Sequence, residues 1–207
     1  MPEGTLFIVS GPSGSGKDTL LCELFARHPD LRFSISSVTR PMRPGEEEGR
    51  KYHFISREEF LRGLEAGEFL EHNEYMGNYY GTPKAPVDAC LAAGEDMILE
   101  VDVNGARAVR KLMPQAVSVF IMPPSFSVLR QRLSARGTES EEVVAGRLRT
   151  AVAEISEAEA YDYIVVNDDL TEAAAELSSI LIGERARCRR RKYLIDEVLK
   201  DVESCNW

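Results

Sequence analysis

Between Ser10 and Leu21 the chain reads SGPSGSGKDTLL, and these residue types at this spacing can hold a phosphate. Gly11, Gly14 and Gly16 surround a tight turn that ends at Lys17. Glycine lets the backbone curl until successive N–H groups point inward at an anion. Pro12, Ser13 and Ser15 fill the turn, and Lys17 supplies a mobile point charge for outer phosphates. An apolar run, TLFIVS, precedes the turn, and an amphipathic helical pattern, DTLLCELFARH, follows it. A strand before and a helix after is the setting that distinguishes a phosphate loop from a chance glycine turn, because the helix adds its positive N-terminal end.

Asp18 departs from this pattern. A Ser or Thr hydroxyl beside Mg²⁺ is usual at that position. Three readings stand together. A carboxylate is a hard oxygen ligand and could reach a metal directly or through water. It could sit in the first helical turn, where negative charge is favoured, and face away. Or it could repel a polyphosphate. Thr19 follows with a hydroxyl of its own.

A second cluster lies in SISSVTRPMRPGEEEGRKYHF. Arg40 and Arg43 are flanked by prolines that stiffen the backbone. Two guanidinium groups held in a loop suit a phosphate, since each can bind oxygens bidentately. Tyr52, and Tyr79 or Tyr80, could add hydroxyl donors. Alone, this stretch would read as a solvated charged loop.

The elements that must carry these groups follow from hydrophobic spacing. Strand signals appear at Thr5–Ser10, Asp96–Val103, Ala116–Pro124 and Tyr161–Asp168. Helical patterns separate them at Lys84–Ala93, Gly105–Lys111, Ser125–Ala135 and Glu139–Glu159. That alternation predicts an α/β fold with a parallel sheet flanked by helices. Residues 33–82 break it: richer in Gly, Pro, Tyr and charge, they read as an inserted mixed lobe with strands KYHFIS and GEFLEHNEYMGNYYGT around a helix REEFLRGLEAG. Gly77-Asn78 supplies the residues expected to turn the hairpin. The basic run Arg185 to Lys192 reads as a solvated helix.

Composition removes several classes. At 207 residues the chain suits one α/β unit with small inserted lobes. A formal net charge of -9 makes sequence-independent nucleic-acid binding a poor fit. No apolar run approaches the ~18–20 residues of a membrane span, and no secretory leader is expected. Cys22, Cys90, Cys188 and Cys205 form no CxxC pair, so zinc and a disulfide framework are not expected.

The order of these motifs resembles the guanylate kinase family over about residues 5–182. The residues that carry it are GPSGSGK; Ser36, Arg40, Arg43, Pro44, Gly45 and Glu46; Tyr52; Glu71 closing FLE; GNYYGTP; LEVDVNGA; PPS at Pro123–Ser125; RGTES at Arg136–Ser140; and NDDL at Asn167–Leu170. The resemblance implies a P-loop kinase core, an inserted GMP-binding lobe (34–82), a helical lid (about 126–156) and a tail (193–207), the core being 1–33 and 83–192 of a single domain. It implies ATP and GMP as substrates, Mg²⁺ with ATP, and a cytoplasmic enzyme binding neither nucleic acid nor membrane, with a homo-oligomer left open. Ser36, Glu71, Thr82 and Asp102 would face guanine; Arg40, Arg43, Tyr52 and Tyr80 would hold the GMP phosphate. Gly11 to Thr19, Arg132, Arg136 and Asn167 would hold ATP. Lys17, Arg43, Arg136 and Arg147 form the expected catalytic set, and Asp18 is expected to meet the metal through water. Val38 and Glu100 depart from common family residues. Two rivals remain: the GKD ending also resembles ribose 1,5-bisphosphate phosphokinases, and a catalytically silent guanylate-kinase-like binding module would share the fold.

Overall fold

The computed structural model describes residues 3–135 and 140–204. In chain order its elements are β1 (Leu6–Ser10), α1 (Lys17–Arg27), β2 (Arg32–Phe33), β3 (Ser36–Val38), β4 (Tyr52–Phe54), α2 (Arg57–Glu65), β5 (Phe69–Tyr75) and β6 (Asn78–Pro83). Then come α3 (Lys84–Ala92), β7 (Met97–Glu100), α4 (Val103–Leu112), β8 (Val117–Met122), α5 (Phe126–Ser134), α6 (Glu141–Ser156), β9 (Tyr163–Val166), α7 (Leu170–Arg185) and α8 (Lys192–Ser204).

The core sheet runs β2-β7-β1-β8-β9, with every pair parallel. β1 is buried along its whole length, because alternate residues face two helical layers. Phe7 and Val9 pack with Leu20 and Leu24 of α1 and Leu177 of α7. Leu6 and Ile8 pack with Val87 and Leu91 of α3 and Val109 of α4. After β1 the chain moves to one side of the sheet to form β2, and later to the other to form β8. The carboxyl end of β1 is therefore a topological switch point, where the flanking connections diverge and leave a crevice. Residues 11–16 lie there.

The second sheet, β4-β3-β6-β5, is mixed: β3 and β4 are parallel, the other pairs antiparallel. Its small core stacks Phe60 of α2 on Phe69 and Tyr79, with ring centroids 4.4 and 5.3 Å apart. Ser56 and Glu59 close a reciprocal capping box that starts α2. Val38 is fully buried in β3, which accounts for an apolar residue at that position.

Four expectations are corrected. The core sheet has a fifth strand, β2, whose two residues are too few to show a period. The strand signal at Asp96–Val103 stops at Glu100, because Asp102 caps α4 by accepting from Gly105 N–H at 2.7 Å, so that helix begins at Val103. The hairpin turns at Met76-Gly77, not Gly77-Asn78: Tyr75 pairs with Asn78, and Met76 and Gly77 both have positive φ (50° and 75°). That is the primed turn whose twist matches its strands, and the Asn78 side-chain amide donates to Met76 O at 3.1 Å. Finally, the basic run is not one helix. Arg185 ends α7 on Asp96 and Asp30, and Arg187 folds back onto buried Glu184 at 2.7 Å. Like charges stacked along a helix would repel, whereas these carboxylates draw the arginines apart around a 3₁₀ turn at Cys188–Arg190.

Cys22, Cys90 and Cys188 are free thiols. Among the described residues no helix is long and apolar enough to cross a membrane.

Candidate active site

A cleft of about 670 Å³ opens at the carboxyl ends of β1 and β7, between the core sheet and the mixed lobe. Its walls bring together the loop after β1 and the arginine–tyrosine face of the lobe.

The loop is shaped by close approach as much as by torsion. Gly11 has φ 146°, and a Cβ there would meet Ile121 O at 2.3 Å. Gly16 sits in the left-handed region (φ 85°) as the residue before α1, and its Cβ would meet the Asn167 side-chain nitrogen at 2.5 Å. Asn167 donates to Ser15 O at 2.8 Å, and Arg132 donates to both Ser15 O (3.4 Å) and Asn167 O (3.0 Å). Asn167 and Arg132 thus buttress the loop from behind. Asn167 is buried and does not line the cleft; Arg132 does. The Lys17 ammonium donates to Gly11 O at 2.6 Å. Burial pushes its pKa down, against the opposing pull of Glu100, Glu154 and Asp18. Thr19 is exposed and outside the cleft lining.

On the lobe side Arg40 is only 8% exposed. Glu46 accepts two bonds from it, each 2.7 Å, and the guanidinium lies 5.1 Å from the centre of the Tyr52 ring. This charge-assisted fork holds Glu46 down to a pKa of about 2 and raises that of Arg40. Glu46 therefore positions Arg40, a role within the RPGE motif that the sequence did not specify. Arg43, Tyr52, Tyr80 and Ser36 share the same wall, with Arg43 exposed.

Glu71, 8% exposed, faces the cleft from β5 and accepts the Thr82 hydroxyl at 2.6 Å. Burial pushes its carboxyl up, and the charge of Asp102 pushes the same way. Both Asp102 oxygens already accept bonds, from Gly105 N–H and from the Asn73 amide at 2.8 Å. Gly105 is what lets α4 come this close: a Cβ there would meet Glu71 Oε2 at 2.9 Å. Gly105→Ala tests the point. The nearest atom is the end of a side chain that can swing aside, while Val101 Cβ at 3.1 Å must give by a few tenths of an ångström; since alanine favours helix, melting should fall only slightly. The displaced carboxylate should raise the KM for the bound base about tenfold. A loss of stability with KM unchanged would mean that the glycine serves packing alone.

Asp18 does not stand free. The Lys51 ammonium binds Asp18 Oδ1 and also Glu100 Oε2, the latter at 2.9 Å. Among the described residues no three His, Cys, Asp or Glu cluster as a metal site. Over the loop lies α6, where Arg147 donates to the Ser13 hydroxyl and Glu154, its carboxyl pushed up by burial, lines the cleft. Arg136 lies outside the described residues. Lys51, Glu100, Asn73 and Glu154 line the cleft without having been singled out as contacts. Glu100 carried a signal as part of LEVDVNGA, and Lys51 as the neighbour of Tyr52.

The chain matches the family described as guanylate kinase over residues 3–184. It is 54% identical to a guanylate kinase of Symbiobacterium thermophilum over 198 residues, covering 96% of this chain and 94% of that one. It is 47% identical to a guanylate kinase of Pseudomonas fluorescens, covering 96% and 97%. The crystal structure of guanylate kinase from Anaplasma phagocytophilum superposes with a TM-score of 0.74 at 37% identity, over 92% of this chain and 90% of that one.

Proposed function

The chain belongs to the guanylate kinase family, and from that premise we infer that its cleft transfers the γ-phosphoryl group of ATP to GMP, giving ADP and GDP. One observation carries the substrate assignment: a buried carboxylate, Glu71, faces the same cleft as the phosphate loop and the arginine–tyrosine wall. Guanine presents N1–H and an N2 amino donor side by side, and a carboxylate accepts both. Adenine lacks that pair and would leave Glu71 unmatched. Ser36, Thr82 and Asp102 are proposed to complete the guanine contacts, and Arg40, Arg43, Tyr52 and Tyr80 to hold the GMP phosphate.

On the donor side the residues from Gly11 to Lys17 are proposed to cradle the ATP phosphates through backbone N–H groups. Lys17, Arg132 and Arg147 offset the charge that spreads over the transferring group. Arg136, adjoining α5, belongs to the same proposed set. The segment carrying α5 and α6 is proposed as a lid that excludes water from the transfer. Mg²⁺ neutralises phosphate charge when bound with ATP. Such an ion keeps most of its shell as water and phosphate oxygens, so a site without a protein cage fits it, and Asp18 reaches it at most through water.

The two rivals are not favoured. A silent module has no need of a loop with its lysine, and a ribose bisphosphate kinase has none for a base-reading carboxylate. A coupled assay of ADP release with GMP, AMP, dGMP and ribose 1,5-bisphosphate decides among them. GMP should support turnover at least about 10²-fold faster than AMP, since a site built to hydrogen-bond its substrate rejects an analogue lacking the donors by up to about 10⁴–10⁵. No turnover with GMP would overturn the reading.

A further inference from the structure

Lys51 belongs to none of the roles assigned above, yet its side chain joins the lobe to the phosphate-loop helix. It stands one residue before Tyr52, and its carbonyl accepts Ser36 N–H at 3.3 Å, so its backbone ties together two strands of the GMP wall. Its ammonium reaches across to Asp18 at the start of α1 and Glu100 at the end of β7. The two arms are unequal. Glu100 is 13% exposed and Asp18 is 74% exposed, so the Glu100 pair is shielded from water while the Asp18 pair is screened. The carboxylates hold the Lys51 pKa well above the ordinary lysine range against the burial that opposes them.

Resting on the phosphotransferase reading, we propose that Lys51 is a positioning residue for the acceptor and that Asp18 acts through it rather than on the metal. The oxygen that Asp18 presents toward the lobe already has a cation. That cation is covalently part of the lobe, so the pair sets where the Tyr52 and Ser36 strands stand relative to Lys17. The unusual carboxylate after the loop lysine and the lysine in the lobe are then two halves of one device. It fixes the distance between donor and acceptor phosphates.

The test compares wild type with Lys51→Met, Lys51→Arg, Asp18→Asn and the Lys51→Met/Asp18→Asn double variant. Kinetics are followed in both substrates and in Mg²⁺ titrations, alongside thermal melting. Lys51→Met should lower kcat/KM for GMP roughly tenfold while the KM for ATP stays near wild type, with a modest fall in melting temperature because the shielded Glu100 loses its cation. Asp18→Asn should lose less, about threefold, because Glu100 still holds the ammonium. The double variant should be no worse than Lys51→Met alone, since residues acting as one unit are non-additive. Lys51→Arg should recover part of the loss, and the Mg²⁺ concentration for half-maximal rate should match wild type in all four. A rise in that concentration in Asp18→Asn, multiplying losses in the double variant, or wild-type kinetics in Lys51→Met would each overturn the proposal. Wild type failing to turn over GMP would instead overturn the function on which it rests.

Discussion

Lys17→Met is expected to lower kcat by roughly 10³-fold, the scale on which a fixed charge or donor aimed at a developing charge contributes to catalysis. The ammonium is held over the loop by Gly11 O at 2.6 Å and Pro12 O at 3.3 Å, so it lies at the mouth of the anion cradle. A phosphate entering there offers it a far stronger acceptor than those carbonyls. Methionine keeps most of the apolar stem and removes only the charge. The fold should tolerate this. Lys17 begins α1, where a cation opposes the helix dipole, so its removal forfeits no favourable end-charge interaction. Stability should stay within about 1 kcal/mol, as for substitutions that break no core contact. Single-turnover measurements at saturating ATP separate the two effects. A variant that transfers phosphoryl at the wild-type rate would show that the loop binds nucleotide without Lys17 acting in the transfer.

Much of this architecture was legible in the sequence because apolar spacing is decided locally. β1, β8 and the helices between the core strands are long enough for their periods to show, and the phosphate loop is a contiguous motif with its strand and helix attached. β2 was not legible, because two residues carry no period and its place depends on pairing with β7. The turn at Met76-Gly77 ran against side-chain preference, since Asn78 tolerates positive φ better than methionine; the pairing of Tyr75 with Asn78 decided the register. The site divides in the same way. Residues that touch one ligand are proposed from motifs, but the role of holding another residue in place is not, even where a motif names the residue. Glu46 under Arg40, Asn167 behind Ser15 and Lys51 across to Asp18 are separated by 6, 152 and 33 positions. Asn167 meets Ser15 only once the five-stranded core sheet is formed, Lys51 meets Asp18 only once the two sheets are assembled, and Glu46, though close in sequence, has both Arg40 and Arg43 beside it, which spacing alone cannot rank.

Glu71→Gln should cost roughly 10²–10⁴-fold in kcat/KM for GMP, since two charge-assisted hydrogen bonds to the base are lost or reversed. The amide can still accept the Thr82 hydroxyl through its oxygen, so its nitrogen is turned toward a base edge that also donates. AMP turnover should change little, and the preference for GMP should collapse. Stability should move the other way. Burial and the neighbouring Asp102 push the Glu71 carboxyl above its unfolded value, so folding disfavours its ionised form. The contribution of the neutral acid is fully present below the unfolded pKa of about 4.3 and is lost as pH rises through the folded value. Above the folded pKa the wild type holds an ionised carboxylate that it would fold better without, and there the glutamine variant, neutral throughout, should melt at the same temperature or higher. Below about pH 4 both are neutral and the difference should close. Melting curves from pH 4 to 8 together with GMP kinetics test both halves. A variant less stable at pH 7 and no more sensitive to acid would mean that Glu71 is a structural hydrogen-bond partner of Thr82. A variant more stable but inactive with GMP would identify a carboxylate kept, at a cost to the fold, for the base it reads.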